Sequence, residues 1–456
     1  MRKKINHIKV VQMNKYLILI FLFVLGMPVF SQQNEYVDFA FRFYNQTEKV
    51  QNTQKGNIVT SPLSAQFALG MLLNGAYGEN YEEISRTLGT SAFSLEQINA
   101  YNHNLLEKMP ETTVIEEYEQ LFQGFRDPKG LPKLNFANGI WTDLGYSPLE
   151  DFKQATESVY DAEIQEAELG KKETFDGIDK WVSNKTDGAI PSMGIEPNDL
   201  MSMALTSVTS FKGEWLTMFA EGNVIVGDFS NYDGTVVPVT YMKSDMRVNC
   251  YKDEELEACK LFYGCDNKFS MTIILPAQDN KDLVLDAEKW KKIQDGFQEN
   301  YVCVKIPYLN LYYEQSMIPV LKAMGMDLAF QGGGFGKLSE TEGLKVDNAK
   351  QVCSIKVNEK GSDDPTTSRF PPNSFGWTNY YFYATRSFYF TIEDNQSGTI
   401  LFVGKINQLD ELTNSVEKVP VTPRDDAPLY DLSGRRLQQK PAKGIYIEGG
   451  KTILVK

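Results

Sequence analysis

The sequence predicts a mixed α+β fold with one long open loop near its C-terminal end. Two observations carry the fold class. Apolar residues recur at helical spacing through the first ninety residues after an N-terminal apolar run, and alternating β-branched and aromatic runs dominate further on. A third observation marks the loop. Between the strand-like Val352–Val357 and the returning runs Tyr380–Tyr383, Phe388–Ile392 and Thr399–Val403 lies the stretch 358–378. It holds Gly361, Pro365, Pro371, Pro372 and Gly376 among Ser, Thr, Asp and Asn. A structureless segment of about 20 residues inside a compact domain is usually functional or disordered. That stretch is the candidate active element.

Composition bounds the function. The chain has 456 residues, 42% of them hydrophobic, which is enough for a substantial core. Lys15–Leu25 is a positively flanked apolar run followed by Gly26, Pro28 and Ser31, so residues 1–31 read as a secretory signal peptide cleaved after Ser31. Met13 is an alternative start. A membrane anchor is the alternative reading, but the run is short for a span of about 20 residues. Removing 1–31 takes away five basic residues and no acidic one, so the formal charge of −14 becomes −19. Nucleic acid and heparin-like polyanions need a basic face and are disfavoured as partners. Of two histidines only His103 survives processing. Triad hydrolysis, His-bridged metal sites and His acid–base chemistry are thereby disfavoured, and no catalytic residue, metal or cofactor is expected. The cysteines are Cys250, Cys259, Cys265, Cys303 and Cys353, with no CxxC. Buried reduced thiols are the simpler expectation, and a Cys259–Cys265 bridge stays open in an exported protein.

In order, Tyr36–Gln51 places Val37, Ala40, Phe41 and Tyr44 on one helical face, widened by Phe39 and Phe43. Asn57–Thr60 reads as a strand running into a helix over Leu63–Asn74, with Ser61 as N-cap and Pro62 in the first turn. The small residues Ala68, Gly70, Gly75 and Ala76 predict close packing there. Glu82–Leu88 is a further short helix. Gln331–Gly336 is Gly-rich but lacks the Lys and Ser/Thr of a phosphate loop. The carboxylate runs Glu116-Glu117 and Asp253–Glu255 read as solvated faces.

From Asn57 to Gly78, with Glu83-Ile84 and Leu88-Gly89, the chain resembles the serpin family around its second helix. The likeness continues in order through Leu134–Trp141, Ile178–Ile190, Phe211–Trp215 with Phe219, Lys260–Gly264 with Phe269–Pro276, Val304–Tyr308, Leu321–Phe330 and Leu401–Ile406. Each motif alone is weak; eight in order across residues 35–408 are specific. The resemblance implies one serpin-like domain of three β-sheets and eight or nine helices, carrying 358–378 as an exposed reactive-centre loop. It implies a monomeric endopeptidase inhibitor. A target serine protease, or a cysteine protease, cleaves the loop as an acyl-enzyme, and the loop then inserts into the central sheet and distorts the protease.

Residue by residue, Glu359 and Gly361 match the family's hinge and Ser362 suits the small residue that follows. The next positions should be small and uncharged, and here they include Asp364 and Pro365. Alternation that puts Ser362, Asp364 and Thr366 inward would bury the Asp364 carboxylate, and Pro365 would remove a ladder N–H. Both oppose insertion and keep open a non-inhibitory serpin acting as a binding or scaffold protein. In the region where the sheet opens, Ser61, Ser64, Asn138 and Trp215 match the family, whereas Ser207 and Gln351 stand where it has Asn and His. That polar network must be rebuilt or weaker. Family register places the scissile bond after Phe375 or after Gly376, which suits a protease with a large apolar primary pocket. Arg369 lies too early for full insertion, and Phe375 with Trp377 also reads as an aromatic pair packed locally.

Residues 409–428 turn polar and Pro-punctuated and read as a linker. Residues 429–456 hold two strand–turn–strand units and look like the C-terminal sorting tails of exported proteins in Bacteroidetes. The resemblance implies recognition by an outer-membrane secretion machinery and a secreted or cell-surface location; β-addition to a partner is the alternative.

Overall fold

The structure, a computed structural model, describes residues 32–51, 56–110, 132–217, 219, 223–264, 266–278, 280, 282–359, 361–362 and 380–411, with four short strands between 429 and 455. Helix α1 spans 32–51. Its wide apolar face has a cause: Ala40, Phe41 and Tyr44 pack against Ile274, Trp290 and Tyr389, while Phe39 and Phe43 enter the main core. Strand β1 (Ile58–Thr60) leads into α2 (Pro62–Gly75), where the Ser61 side chain accepts the Ser64 N–H at 3.2 Å. Every residue of α2 is buried. A helix with so few polar residues belongs at the centre of a core, and α2 lies there, with Ser64, Gln66 and Asn74 satisfied by internal hydrogen bonds. A side chain at Gly70 would collide with the Tyr160 ring, which is the close packing that the small residues predicted.

The chain continues through α3 (Gly78–Leu88), α4 (Leu95–Lys108), β2 (Lys133–Thr142), α5 (Glu150–Tyr160), β3 (Ala162–Glu166), α6 (Lys172–Lys185) and β4 (Met203–Glu214). Strands β5 (Val224–Ser230), β6 (Val236–Lys252), β7 (Leu256–Tyr263) and β8 (Phe269–Pro276) precede α7 (Ala287–Gly296), β9 (Gln298–Pro307), β10 (Leu309–Ser316) and α8 (Ile318–Ala323). Last come β11 (Asn348–Val357), β12 (Gly361–Ser362), β13 (Tyr380–Tyr383), β14 (Phe388–Asp394) and β15 (Thr399–Ile406). The described residues thus hold eight α-helices, within the expected eight or nine.

One sheet runs β1-β15-β14-β8-β7-β6-β9-β13, with β5 on β6. Two of the three expected sheets join here, because the long β6 pairs with β5 and β9 along most of its length and with β7 at its end. The other sheet runs β10-β11-β4-β2-β3, with β12 on β4. Its inner face, including Leu205 and Phe211, shares the main core with α2. Its outer face at Ala204, Val208 and Val352 is covered by Phe175, Ile178 and Val182 of α6. The central sheet therefore lies between two helices.

Four thiols, Cys250, Cys259, Cys303 and Cys353, are buried and free. Cys259 faces Cys250 across paired strands, and the Cys259–Cys265 bridge that the sequence leaves open has its other end, Cys265, outside the described residues. Asp253 is more than a solvated carboxylate. It accepts from Lys292, Tyr251 and the N–H groups of Glu255 and Leu256, closing the β6–β7 turn. Burial opposes its charge, but these donors outweigh burial and hold it below the usual carboxylate range. Residues Glu116-Glu117 lie outside the described residues.

The segment 410–456 forms a unit of its own. Its strands β16 (Leu429–Tyr430), β17 (Arg436–Leu437), β18 (Gly444–Glu448) and β19 (Lys451–Val455) make an antiparallel sheet in the order β17-β16-β18-β19. The β18–β19 register leaves a two-residue connection at Gly449-Gly450.

One buried ion pair, Lys260–Glu393 at 3.2 Å, ties β7 to β14. Ser270, Thr272 and Thr391 also donate to the Glu393 carboxylate. Glu393→Gln leaves the Lys260 ammonium uncompensated and is expected to cost about 3–5 kcal/mol in urea unfolding. Replacing both partners by Lys260→Met and Glu393→Leu should recover most of that loss.

Candidate functional site: the seam of the central sheet

The strand β4 is the side of the site that is fully paired. It runs antiparallel to β2 from Met203↔Thr142 to Lys212↔Lys133. On its other side it meets β11 in parallel only at Ala204↔Asn348, Leu205↔Ala349 and Thr206↔Lys350. Beyond that point, Ser207–Gly213 and Gln351–Val357 share no paired residues. The strand β11 is meanwhile held by β10 from Lys350 to Val357. The result is a seam closed at one end and parted at the other.

Two of the expected hinge residues sit at the open end. Gly361 pairs with Glu214 and Ser362 with Gly213, both antiparallel. The chain before them is anchored: the Trp215 indole N–H donates to Asn358 O at 3.0 Å, and the Phe219 N–H donates to Glu359 O at 3.1 Å. The Tyr308 hydroxyl bonds the Glu359 carboxylate. Trp215 itself stacks on Tyr263 with ring centroids 4.4 Å apart. Trp215 therefore packs in the core and also fixes the start of the loop. Asp364, Pro365, Phe375 and Gly376 lie outside the described residues, as does 363–379 as a whole.

Six residues along β4 from Gly213, roughly 20 Å by strand rise, the remaining candidates meet in one buried network. Gln351 is the bridge: its side-chain oxygen accepts the Ser61 N–H at 3.1 Å, and its NH₂ donates to Ser61 O at 2.8 Å. The Ser64 hydroxyl donates to Ser207 O, the Ser207 hydroxyl donates to Asn138 Oδ1 at 2.7 Å, and Asn138 donates to Tyr160 O at 2.9 Å. The network thus links the first turn of α2 to β11, β4 and β2. Ser207 and Gln351 rebuild the interactions that the altered residues put in question. Nearby, burial pushes the Cys353 thiol well above its usual range.

Three participants escaped the sequence reading. Gln315 donates to Gln351 Oε1 at 3.1 Å from the directly opposed position on β10. Its signal was present: Leu309, Leu311 and Gln315 share the inward phase of β10, and a polar residue in that phase needs a buried partner. Tyr160 and Tyr308 carried no comparable signal. Among the described residues, no group of three or more His, Cys, Asp or Glu could hold a metal ion.

A parted central seam with a hinge paired at its mouth is an arrangement that can accept a strand. A family model described as Serpin (serine protease inhibitor) matches residues 34–409. The chain belongs to the serpin family. Iripin-3 of Ixodes ricinus is 28% identical over 366 residues, covering 77% of this chain and 89% of that protein. Human Serpin I2 is 25% identical over 396 residues, covering 83% and 92%. The thermophilic serpin tengpin in its native state superposes with a TM-score of 0.72 at 25% identity, over 83% of this chain and 94% of that one. Thyroxine-binding globulin in complex with thyroxine, at 23% identity and a TM-score of 0.70, shares the fold. Membership of this serpin family supports protease inhibition rather than catalysis.

If Gln351 and Gln315 act as one unit, Gln351→Leu strands the Ser61 backbone groups and should cost about 1–3 kcal/mol in denaturant unfolding. The double variant with Gln315→Leu should cost less than the two single changes added together, which a double-mutant cycle measures.

Proposed function

We propose that this serpin is an exported suicide inhibitor, with signal peptide 1–31, inhibitory domain 35–408, linker 409–428 and a sorting tail over 429–456. A serine protease with a large apolar primary pocket cuts the 358–378 loop at Phe375–Gly376. The freed segment enters the seam between β4 and β11 before the acyl-enzyme hydrolyses. The observation that supports this most is the hinge pairing at the mouth of the parted seam.

That pairing also sets the register in which insertion would continue. Asp363 falls opposite Lys212, Asp364 opposite Phe211 and Pro365 opposite Ser210. Directly opposed residues share a face of the sheet, and Phe211 faces the main core beside Tyr263 and Phe269. Insertion would therefore set the Asp364 carboxylate against aromatic rings. An unpaired buried charge costs several kcal/mol or takes up a proton. This favours a second reading, in which the same chain is cleaved without insertion and serves as a binding or scaffold protein.

The test is incubation of the mature protein with a chymotrypsin-like protease, read on a denaturing gel. A detergent-resistant band at the summed mass is expected, with the released peptide beginning at Gly376. Nicked protein with fully active protease would support the second reading. Asp364→Ala and Pro365→Ala should each raise the fraction of encounters that end in the complex, measured by inhibitor consumed per protease inactivated. The pH dependence has a definite sign. The inserted state favours protonated Asp364, so the gain in melting temperature on loop cleavage should be larger at about pH 5 than at about pH 8. Asp364→Ala should abolish that difference.

A further inference from the structure

We propose that Cys250 and Cys259 are a disulfide-forming pair, a cross-strand modification site at the foot of the loop. The two residues are direct partners in the β6–β7 register. The Asp253 N–H donates to Leu256 O at 3.0 Å at the turn, which makes 253 and 256 a hydrogen-bonded pair. Antiparallel pairs alternate in type, so three steps back the cysteines occupy a non-hydrogen-bonded site, where strands and side chains approach most closely. The Cα separation of such a site, about 4.5 Å, lies inside the range that a disulfide spans. The two sulfurs are already in contact at 3.5 Å. Rotation of the side chains suffices to close them to bonding distance.

The pair is asymmetric. Cys250 lines an open cleft of about 450 Å³ with Lys252, Gln298, Asn300 and Tyr380, whereas Cys259 is fully buried behind it. Burial pushes the Cys259 thiol well above its usual range. A small disulfide oxidant therefore meets Cys250 first. The Cys250 thiolate attacks one sulfur of the oxidant, forming a mixed disulfide and expelling one thiolate. Cys259, losing its proton, then attacks the Cys250 sulfur and expels the second. Two protein thiols are oxidised, the acceptor disulfide is reduced to two thiols, and the protons pass to the departing sulfurs. Because Cys259 ionises poorly in the folded protein, closure runs fastest during folding.

The place of the bridge gives it a consequence. The Tyr380 hydroxyl bonds Glu257 of β7 at 3.1 Å, and Lys252 lies 5.9 Å from the Tyr380 ring. Tyr380 opens β13, the strand that receives the chain after the loop. Oxidation would thus staple the hairpin on which the C-terminal foot of the loop rests.

The experiment is refolding of the full chain with oxidised glutathione, followed by alkylation in denaturant and peptide mapping. The expected result is a linked peptide pair holding Cys250 and Cys259, with alkylatable thiols falling from five to three. The Cys259→Ser variant should stop at a glutathione mixed disulfide on Cys250, and Cys250→Ser should leave Cys259 in no bridge to another protein cysteine. Five free thiols in the oxidised wild type, or a bridge from either residue to Cys265, Cys303 or Cys353, would overturn the proposal. Thiol mapping does not depend on protease trapping, so this site stands or falls apart from the inhibitor reading.

Discussion

The unfinished pairing between β4 and β11 is the constraint on which the rest of the molecule depends. Three paired residues at one end hold the two strands in one sheet, and among the described residues no ladder pairing joins Ser207–Phe211 to Gln351–Ile355. Unpaired backbone groups inside a sheet are costly, so the parted state is poised to gain from any strand that fills it. The surrounding elements hold the seam in that condition. The strand β2 secures β4, β10 secures β11, and the helices α2 and α6 cover the two faces. The Gln351 and Ser207 network ties β2, β4, β10 and β11 to the first turn of α2.

In the proposed insertion, the residues after Ser362 would work against that gain. Gly361 and Ser362 already use the first two positions of the seam, and both are small. In the proposed insertion the next inward position would fall to Asp364, and Pro365 after it would remove a donor. On one side of the balance stand the ladder hydrogen bonds and the apolar burial that a new strand would add along the seam. On the other stands one desolvated carboxylate. The favourable terms are distributed over many residues, each worth about 0.5–1.5 kcal/mol for a hydrogen bond. The cost is concentrated at the second and third steps of insertion. Such a profile affects the rate of insertion more than its end point. In a mechanism that competes with deacylation, rate decides the outcome.

Much of the fold was legible in the sequence because its signals are local. Ser61 and Pro62 announce the start of α2, and the small residues along and after it announce its close packing. The alternation in Val352–Val357 and the Pro- and Gly-rich stretch that follows mark the strand and the loop beside it. The strand β11 begins four residues before the predicted one, since Asn348–Gln351 carry no apolar alternation and owe their conformation to β10 and β4. The polar network was half legible. Ser61, Ser64, Asn138, Ser207 and Gln351 stand out by their place in the family motifs, but Gln315 and the backbone oxygen of Tyr160 join only through tertiary contact. The pairing of Cys250 with Cys259 is hidden in the sequence for the same reason: it follows from strand register, which the spacing of the cysteines does not reveal.

Amide hydrogen exchange across the seam tests the account most directly. The amides of Ser207–Phe211 and Gln351–Ile355 that point into the seam should exchange fast in the intact protein. After a single cut in the loop they should become strongly protected, while the amides facing β2 and β10 stay unchanged. Slow exchange at those positions in the intact protein, or no gain in protection after cleavage, would contradict a seam that waits for a strand.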